Sequence, residues 1–136
     1  MNTKLILEAH RLTHVGPISY PEVVRRLMEG GVEYYHVDYV GLRKTYYGPD
    51  GDLVVLPISF EALPPVAADF RLDDLKADLL DSQQRGQQYR EFTRRAMEAG
   101  VQGYIAFLRG KRVLYWGRQG DQHVEWFPGA RPGAKV

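Results

Sequence analysis

Four side chains of this sequence could form a small catalytic or metal-binding group: His36, Asp38, His123 and Glu125. Histidine and carboxylate side chains transfer protons near neutral pH, and both bind zinc. Within each pair the residues are two positions apart, which places them on one face of a β-strand. If the two strands lie close together, two imidazoles and two carboxylates converge. The competing interpretation is structural, because a strand that faces water also alternates polar residues.

A second histidine pair, His10 and His14, lies four residues apart in a predicted helix. This spacing allows two imidazoles to reach one metal ion. Neither the accompanying glutamate of such motifs nor a third ligand lies nearby in the sequence, so surface histidines are the favoured interpretation. The sequence predicts no cofactor and no resident metal.

Tyrosines could line a pocket for a planar or apolar ligand, since the chain contains nine of them. The candidate ligand-binding residues are Tyr34, Tyr35, Tyr46, Tyr104 and Tyr115. For the tyrosines that recur in the repeat described next, core packing, with each hydroxyl reaching a partner, is the favoured interpretation.

These residues belong to a sequence that repeats itself. Residues 20–55 match residues 89–124 without a gap, 69 positions further on, and Gly31, Tyr35 and Gly51 are among the residues that recur. A self-match at a fixed period indicates a duplicated supersecondary unit. We expect what both copies share to be architecture, and what only one copy carries to be where function resides.

Each unit is predicted to contain two helices followed by three antiparallel strands. Asn2 or Thr3 can cap the first helix, and Ser19 with Glu22 forms a capping box for the second. The predicted helices are residues 3–14, 20–29, a leucine-rich segment from Leu72 to Leu80, and 89–99. The predicted strands are 32–39, 43–47, 53–57, 101–108, 111–116 and 122–127.

This pattern predicts an α+β fold with helices packed on one side of antiparallel sheets and with pseudo-two-fold symmetry. Residues 1–136 are expected to form a single domain of two repeats, 3–57 and 72–127. Residues 58–71, which contain two consecutive prolines, are the predicted connector, and 129–136 a frayed tail.

Composition and charge narrow the classes of function. A net charge of +1 gives no strong field for nucleic acid, although Arg43 with Lys44 and the predicted turn at 109–112 could contact phosphates. Cysteine is absent, which excludes a disulfide scaffold. The apolar stretch before Glu8 is too short for a signal peptide, so we expect a cytoplasmic protein without a membrane segment.

Three stretches resemble a known family. They are the run from Tyr20 to Asp38 (YPEVVRRLMEGGVEYYHVD) and FTRRAMEAGV from Phe92, followed by YWGRQGD from Tyr115. Together they resemble the YbcV-like family of small bacterial proteins of unknown function, over about residues 5–128. Some members carry the label phage envelope protein. The resemblance implies no catalytic residues.

The leading interpretation is a non-enzymatic binding or interaction domain, which holds a small ligand or a protein partner in an aromatic cleft between the two repeats. The alternative is a small hydrolase or lyase, with or without a metal ion, that uses His36 and Asp38 with His123 and Glu125. Assembly through exposed sheet edges is a third class, and a homodimer is compatible with the sequence.

Overall fold

A computed structural model describes residues 1–132 of the chain. Its elements follow one another as helix, helix and three strands, twice in succession. The helices are α1 (Thr3–Val15), α2 (Tyr20–Glu29), α3 (Leu72–Arg85) and α4 (Tyr89–Glu98). The strands are β1 (Tyr34–Asp38), β2 (Arg43–Tyr47), β3 (Leu53–Pro57), β4 (Val101–Phe107), β5 (Arg112–Gly117) and β6 (Gln122–Trp126).

The predicted α+β class is therefore confirmed, with one difference. The six strands form a single antiparallel sheet in the order β3-β2-β1-β4-β5-β6, instead of a separate sheet for each half. The expected tail begins within the described residues, but its last four positions, 133–136, lie outside them.

The two halves join through β1 and β4, which pair antiparallel. In this register His36 lies opposite Ile105, and these two positions are 69 residues apart. Tyr35 pairs with Ala106, and the equivalent positions Tyr104 and Val37 pair with each other. The register is thus symmetric about the His36–Ile105 pair, and the sheet continues from one half to the other without a gap.

Local sequence accounts for the ends of the first two helices. The Asn2 side chain accepts a hydrogen bond from the Leu5 amide at 3.1 Å, and the Ser19 hydroxyl accepts one from the Glu22 amide at 3.3 Å. The Glu22 carboxylate does not complete the expected capping box. It binds Arg25 and Arg26 on its own helix instead.

Glycine is needed at matched positions after α2 and α4, where the chain turns into a strand. Gly31 has φ 87° and Gly100 has φ 90°, in the left-handed region that side chains with a Cβ resist. A Cβ at Gly100 would also lie 2.1 Å from the Asp69 carbonyl oxygen, so the connector passes directly against this turn.

All four helices cover the same face of the sheet. Their buried residues, among them Ile6, Leu27, Leu75 and Ala96, belong to one hydrophobic core with the strand residues of that face. None of the helices in residues 1–132 lies on the other face. Antiparallel sheets tolerate this arrangement, and their uncovered face is usually polar.

Candidate functional site

The uncovered face of the sheet is the first candidate site. Directly opposed residues of neighbouring strands share a face, so the registers define three rows of six side chains. We call these eighteen residues the open face. From β3 to β6 the rows are Leu53-Tyr47-Tyr34-Phe107-Arg112-Trp126, Val55-Thr45-His36-Ile105-Leu114-Val124 and Pro57-Arg43-Asp38-Gly103-Trp116-Gln122.

Aromatic rings pack against one another along the first row. Tyr34 stacks on Tyr47 with ring centroids 4.6 Å apart and planes 13° apart, and Phe107 lies 6.2 Å from Tyr34 on the other side. The guanidinium of Arg112 lies 4.6 Å from the ring centroid of Trp126. The flat surfaces of these rings are thus partly covered by their neighbours.

Aliphatic side chains on the same face remain in contact with solvent. Leu53, Val55 and Val124 are 53%, 50% and 42% exposed. Beside Tyr34 and Phe107, a shallow depression of about 420 Å³ is bordered by Glu33, Arg109 and Arg112. Leu53 and Val55 belong to β3 and Val124 to β6, so apolar side chains reach solvent at both edges of the open face.

The four residues that could have formed a catalytic group do not come together. His36 and Asp38 belong to the open face, whereas His123 and Glu125 lie opposite Tyr115 and Val113, on the face that the helices cover. Three strand spacings, about 14 Å, also separate β1 from β6. No single site can therefore use all four side chains.

Each of these two pairs has a local role in the structure. One Asp38 carboxylate oxygen accepts hydrogen bonds from the amides of Val40 and Gly41, at 3.0 and 2.9 Å, and so stabilises the turn after β1. On β6, the His123 Nε2 atom lies 3.0 Å from a Glu125 carboxylate oxygen. Within residues 1–132, no group of three or more potential metal ligands is present.

The five candidate tyrosines divide between the two faces. Tyr34 lies on the open face, while Tyr35, Tyr46, Tyr104 and Tyr115 lie beneath the helices and are at most 5% exposed. The Tyr35 hydroxyl meets Tyr20 at 3.0 Å, and the Tyr104 hydroxyl meets Tyr89 at 2.9 Å. Burial raises the pKa of all four buried phenols well above its usual range.

His10 is held by two hydrogen bonds that define its protonation. Its Nε2 atom lies 2.8 Å from the Pro57 carbonyl, which can only accept, so Nε2 carries the proton. Its Nδ1 atom then accepts from the Tyr46 hydroxyl, also at 2.8 Å. Burial and the nearby Lys44 lower the pKa of His10 to about 4. Because both ring nitrogens are occupied, His10 is not available to a metal ion.

Lys44 is the functional candidate that sequence reasoning placed incorrectly. It was expected to contact phosphates together with Arg43, but within the predicted strand β2 it points into the core with 3% exposure. The position 69 residues further on is Val113, an apolar residue on the same face of β5. The apolar residue at the equivalent position and the alternation of side chains along β2 were the sequence features that could have predicted the burial of Lys44.

Asp78 is a second buried charge that the sequence did not single out. It is 0% exposed on α3, and one of its carboxylate oxygens accepts a hydrogen bond from Gln87 at 2.5 Å and lies 3.5 Å from the Arg95 Nε atom. Burial raises the pKa of Asp78 to about 7. Arg95 also binds Asp81 at 2.8 Å, so this group fastens α3 to α4.

Comparison with known proteins finds a similarity to one family of unknown function. No curated protein matches the chain. None of the described helices is long and apolar enough to cross a membrane. The family match spans 66 of the 136 residues and contains α3, α4, β4, β5 and most of β6. Over residues 60–125 the chain is thus similar to an uncharacterised family, the one described as "Protein of unknown function (DUF1398)".

Proposed function

We propose that this chain is an interaction domain that pairs with a second copy of itself through the open face. The observation that carries the proposal is the composition of that face. Twelve of its eighteen residues are aliphatic, aromatic, proline or glycine, and only Asp38, Arg43 and Arg112 carry a full charge. Covering such a surface removes apolar area from water, which is the dominant favourable term in protein association.

The arrangement of the rings favours a protein surface over nucleic acid. Proteins that bind single strands offer free aromatic faces on which bases stack. Here Tyr34 is stacked against Tyr47, and Arg112 covers Trp126. The aromatic and aliphatic side chains of this face suit interdigitation with another apolar sheet, as in a β-sandwich whose sheets lie about 10 Å apart.

Charge supports a second copy as the partner. The open face carries two arginines and one aspartate, and Arg43 lies 4.0 Å from Asp38. Two such faces repel each other little, whereas a strongly charged partner would find no complementary field. The charged residues belong to the outer rows, and the central row, from Val55 to Val124, contains none.

Size and symmetry also favour this partner. A stable protein interface uses about 20 to 30 residues from each side, and the eighteen residues of the open face approach that number. Two-fold dimers require a surface that is complementary to itself. Two copies related by a two-fold axis would present the same rows to each other, and the uncharged central row around His36 and Ile105 could lie at that axis.

Sedimentation equilibrium tests the proposal with two matched variants. Ile105→Glu places a charge at the centre of the open face, and the equivalent position in the first half, His36, already holds a polar side chain. Leu80→Glu places the same charge on α3, on a leucine that is 49% exposed and far from the open face. Circular dichroism and thermal unfolding confirm that both variants are folded.

The proposal requires the parent and Leu80→Glu to sediment with twice the mass of the chain, and Ile105→Glu to sediment as a monomer. A parent that stays monomeric at high micromolar concentration refutes it. So does a dimer that survives Ile105→Glu, since the contact would then use another surface, such as the exposed edge of β3 or β6.

A further inference from the structure

A cluster of polar side chains lies in the core, on the face of the sheet that the helices cover. At its centre is Lys44, whose Nζ atom lies 4.0 Å from the ring centroid of Tyr89 on α4. Within the described chain no carboxylate comes within 4.0 Å of this ammonium. Lysine is rarely buried without a paired anion, because the desolvation of its charge is costly.

The Tyr89 ring that contacts Lys44 belongs to a cluster of aromatic side chains. His14, Phe60 and Tyr89 are each partly exposed, and their ring centroids are 4.7 to 6.1 Å apart. His10 packs against His14 at 4.3 Å on the inner side. The group therefore extends from a partly exposed aromatic rim to a buried amine.

Three hydrogen-bonding atoms around this group have no partner among the described residues. They are the hydroxyls of Tyr39 and Thr93, which are 1% and 0% exposed, and the Nε2 atom of His14. Buried polar atoms are nearly always hydrogen bonded, so each exception requires an explanation. The Tyr39 and Thr93 hydroxyls can each donate a hydrogen bond to an acceptor group that enters the site.

The segment that carries Phe60 is held by side chains, with Phe60 and Leu63 packed against the core. No backbone–backbone hydrogen bond joins residues 59–65 to the rest of the described chain, in contrast to Ile58 and Ala67 at either side. The Arg90 side chain donates to the Glu61 carbonyl at 2.6 Å, and Phe60 packs on His14. A segment held in this way can move aside without breaking the sheet or the helices.

We propose that this group is a binding site for a small carboxylate compound with an apolar body. The carboxylate would pair with the Lys44 ammonium, and the apolar part would pack against Phe60, His14 and Tyr89. One cation matches one negative charge. A phosphate dianion would bring a second charge for which the neutral His10 provides no partner.

The site belongs to one half of the molecule only. The positions 69 residues after His10, His14, Tyr39 and Lys44 are Leu79, Gln83, Leu108 and Val113. The second half builds the same helices and strands without these polar groups, so the fold does not require them. These polar residues therefore serve something other than the shared fold, and ligand binding is such a role.

Isothermal titration calorimetry at pH 7 tests the site with benzoate, acetate and inorganic phosphate as probes. The variants are Lys44→Met and Lys44→Gln, and the control is Lys76→Met, which removes an exposed lysine of α3. We expect benzoate to bind the parent and Lys76→Met equally, acetate to bind more weakly, and phosphate not to bind. Either substitution at Lys44 should weaken benzoate binding by about tenfold or more.

Three outcomes overturn the inference. One is a parent that releases or absorbs no binding heat with any carboxylate. Another is phosphate binding more tightly than benzoate, which would contradict the single-charge match. The third is benzoate binding that survives both substitutions at Lys44, because the ligand would then occupy a different site. The oligomeric state of these variants is measured separately, so failure here does not bear on the open face.

Discussion

His36 of β1 pairs directly with Ile105 of β4. The two residues occupy equivalent positions in the two halves of the repeat. The pair lies at the centre of both the sheet and the open face. The two side chains differ, since one is an imidazole and the other is aliphatic. The two halves are therefore more similar in their backbone than in their surface side chains. The predictions below depend on such differences between equivalent positions.

Substitution of Gly31 and of Gly100, the glycines after α2 and α4, should lower the free energy of unfolding by different amounts. Gly31→Ala should lower the free energy of unfolding by about 1 kcal/mol, the cost of placing a Cβ at φ 87°. Gly100→Ala should cost at least about 2 kcal/mol more, because its Cβ would meet the Asp69 carbonyl oxygen at 2.1 Å. Urea unfolding measures both, and equal losses would show that the connector can move away from Gly100.

Replacement of Lys44 by Val, the residue at the equivalent position of β5, should stabilise the protein. The substitution removes a buried ammonium without a paired anion, and such replacements are worth about 1 kcal/mol or more. Thermal and urea unfolding at pH 7 measure the change. A clear loss of stability would mean that the cation–π contact with Tyr89 outweighs the cost of burying the charge.

His10 should make stability depend on pH. Its folded pKa of about 4 lies below its unfolded value of 6.5, so its contribution is present above pH 6.5 and is lost as the pH falls from 6.5 through 4. His10→Asn should reduce this loss. Urea unfolding at several pH values tests it, and an identical slope in the parent and the variant would contradict the assignment of His10 as a neutral, hydrogen-bonded imidazole.

Asp78 should have the opposite effect over the same range. Its folded pKa of about 7 lies above its unfolded value of 3.8, so its contribution is present below pH 3.8 and is lost as the pH rises through 7. In Asp78→Asn this decline should be absent, while the side-chain oxygen that binds Gln87 is kept. A variant whose stability still declines between pH 4 and 7 as in the parent would show that Asp78 stays ionised beside Arg95.

Much of the local structure could be predicted from the sequence. The strands 43–47 and 53–57 and the starts of α2 and α4 agree with the expectation, because turn glycines and caps act through nearby atoms. The recurrence of Gly31 at Gly100 predicted two helix stops, and both glycines have the positive φ that such stops require.

The way the halves join was not predictable from the repeat. A duplicated sequence defines a unit but not the interface between its copies, and here that interface is a strand pair. The expected convergence of His36 with His123 failed for this reason. Once β1 and β4 are paired, the alternation of side chains sends His36 to one face and His123 to the other.

Lys44 shows a different limit of sequence reasoning. A lysine next to an arginine is usually solvated, and only the alternation along β2 places it on the same face as Tyr46. Its lack of a paired carboxylate depends on residues distant in sequence, such as Tyr89. Composition and spacing do not show which distant residues will surround the Lys44 ammonium.

The central claim, that two copies meet through the open face, is tested most directly by isotope-filtered nuclear Overhauser spectroscopy. The sample is an equal mixture of uniformly ¹³C-labelled and unlabelled chains, so only contacts between copies are detected. We predict contacts from the methyl groups of Ile105 and Leu114 to aromatic protons of the partner copy. Their absence, or contacts confined to helix residues such as Leu80, would contradict the account.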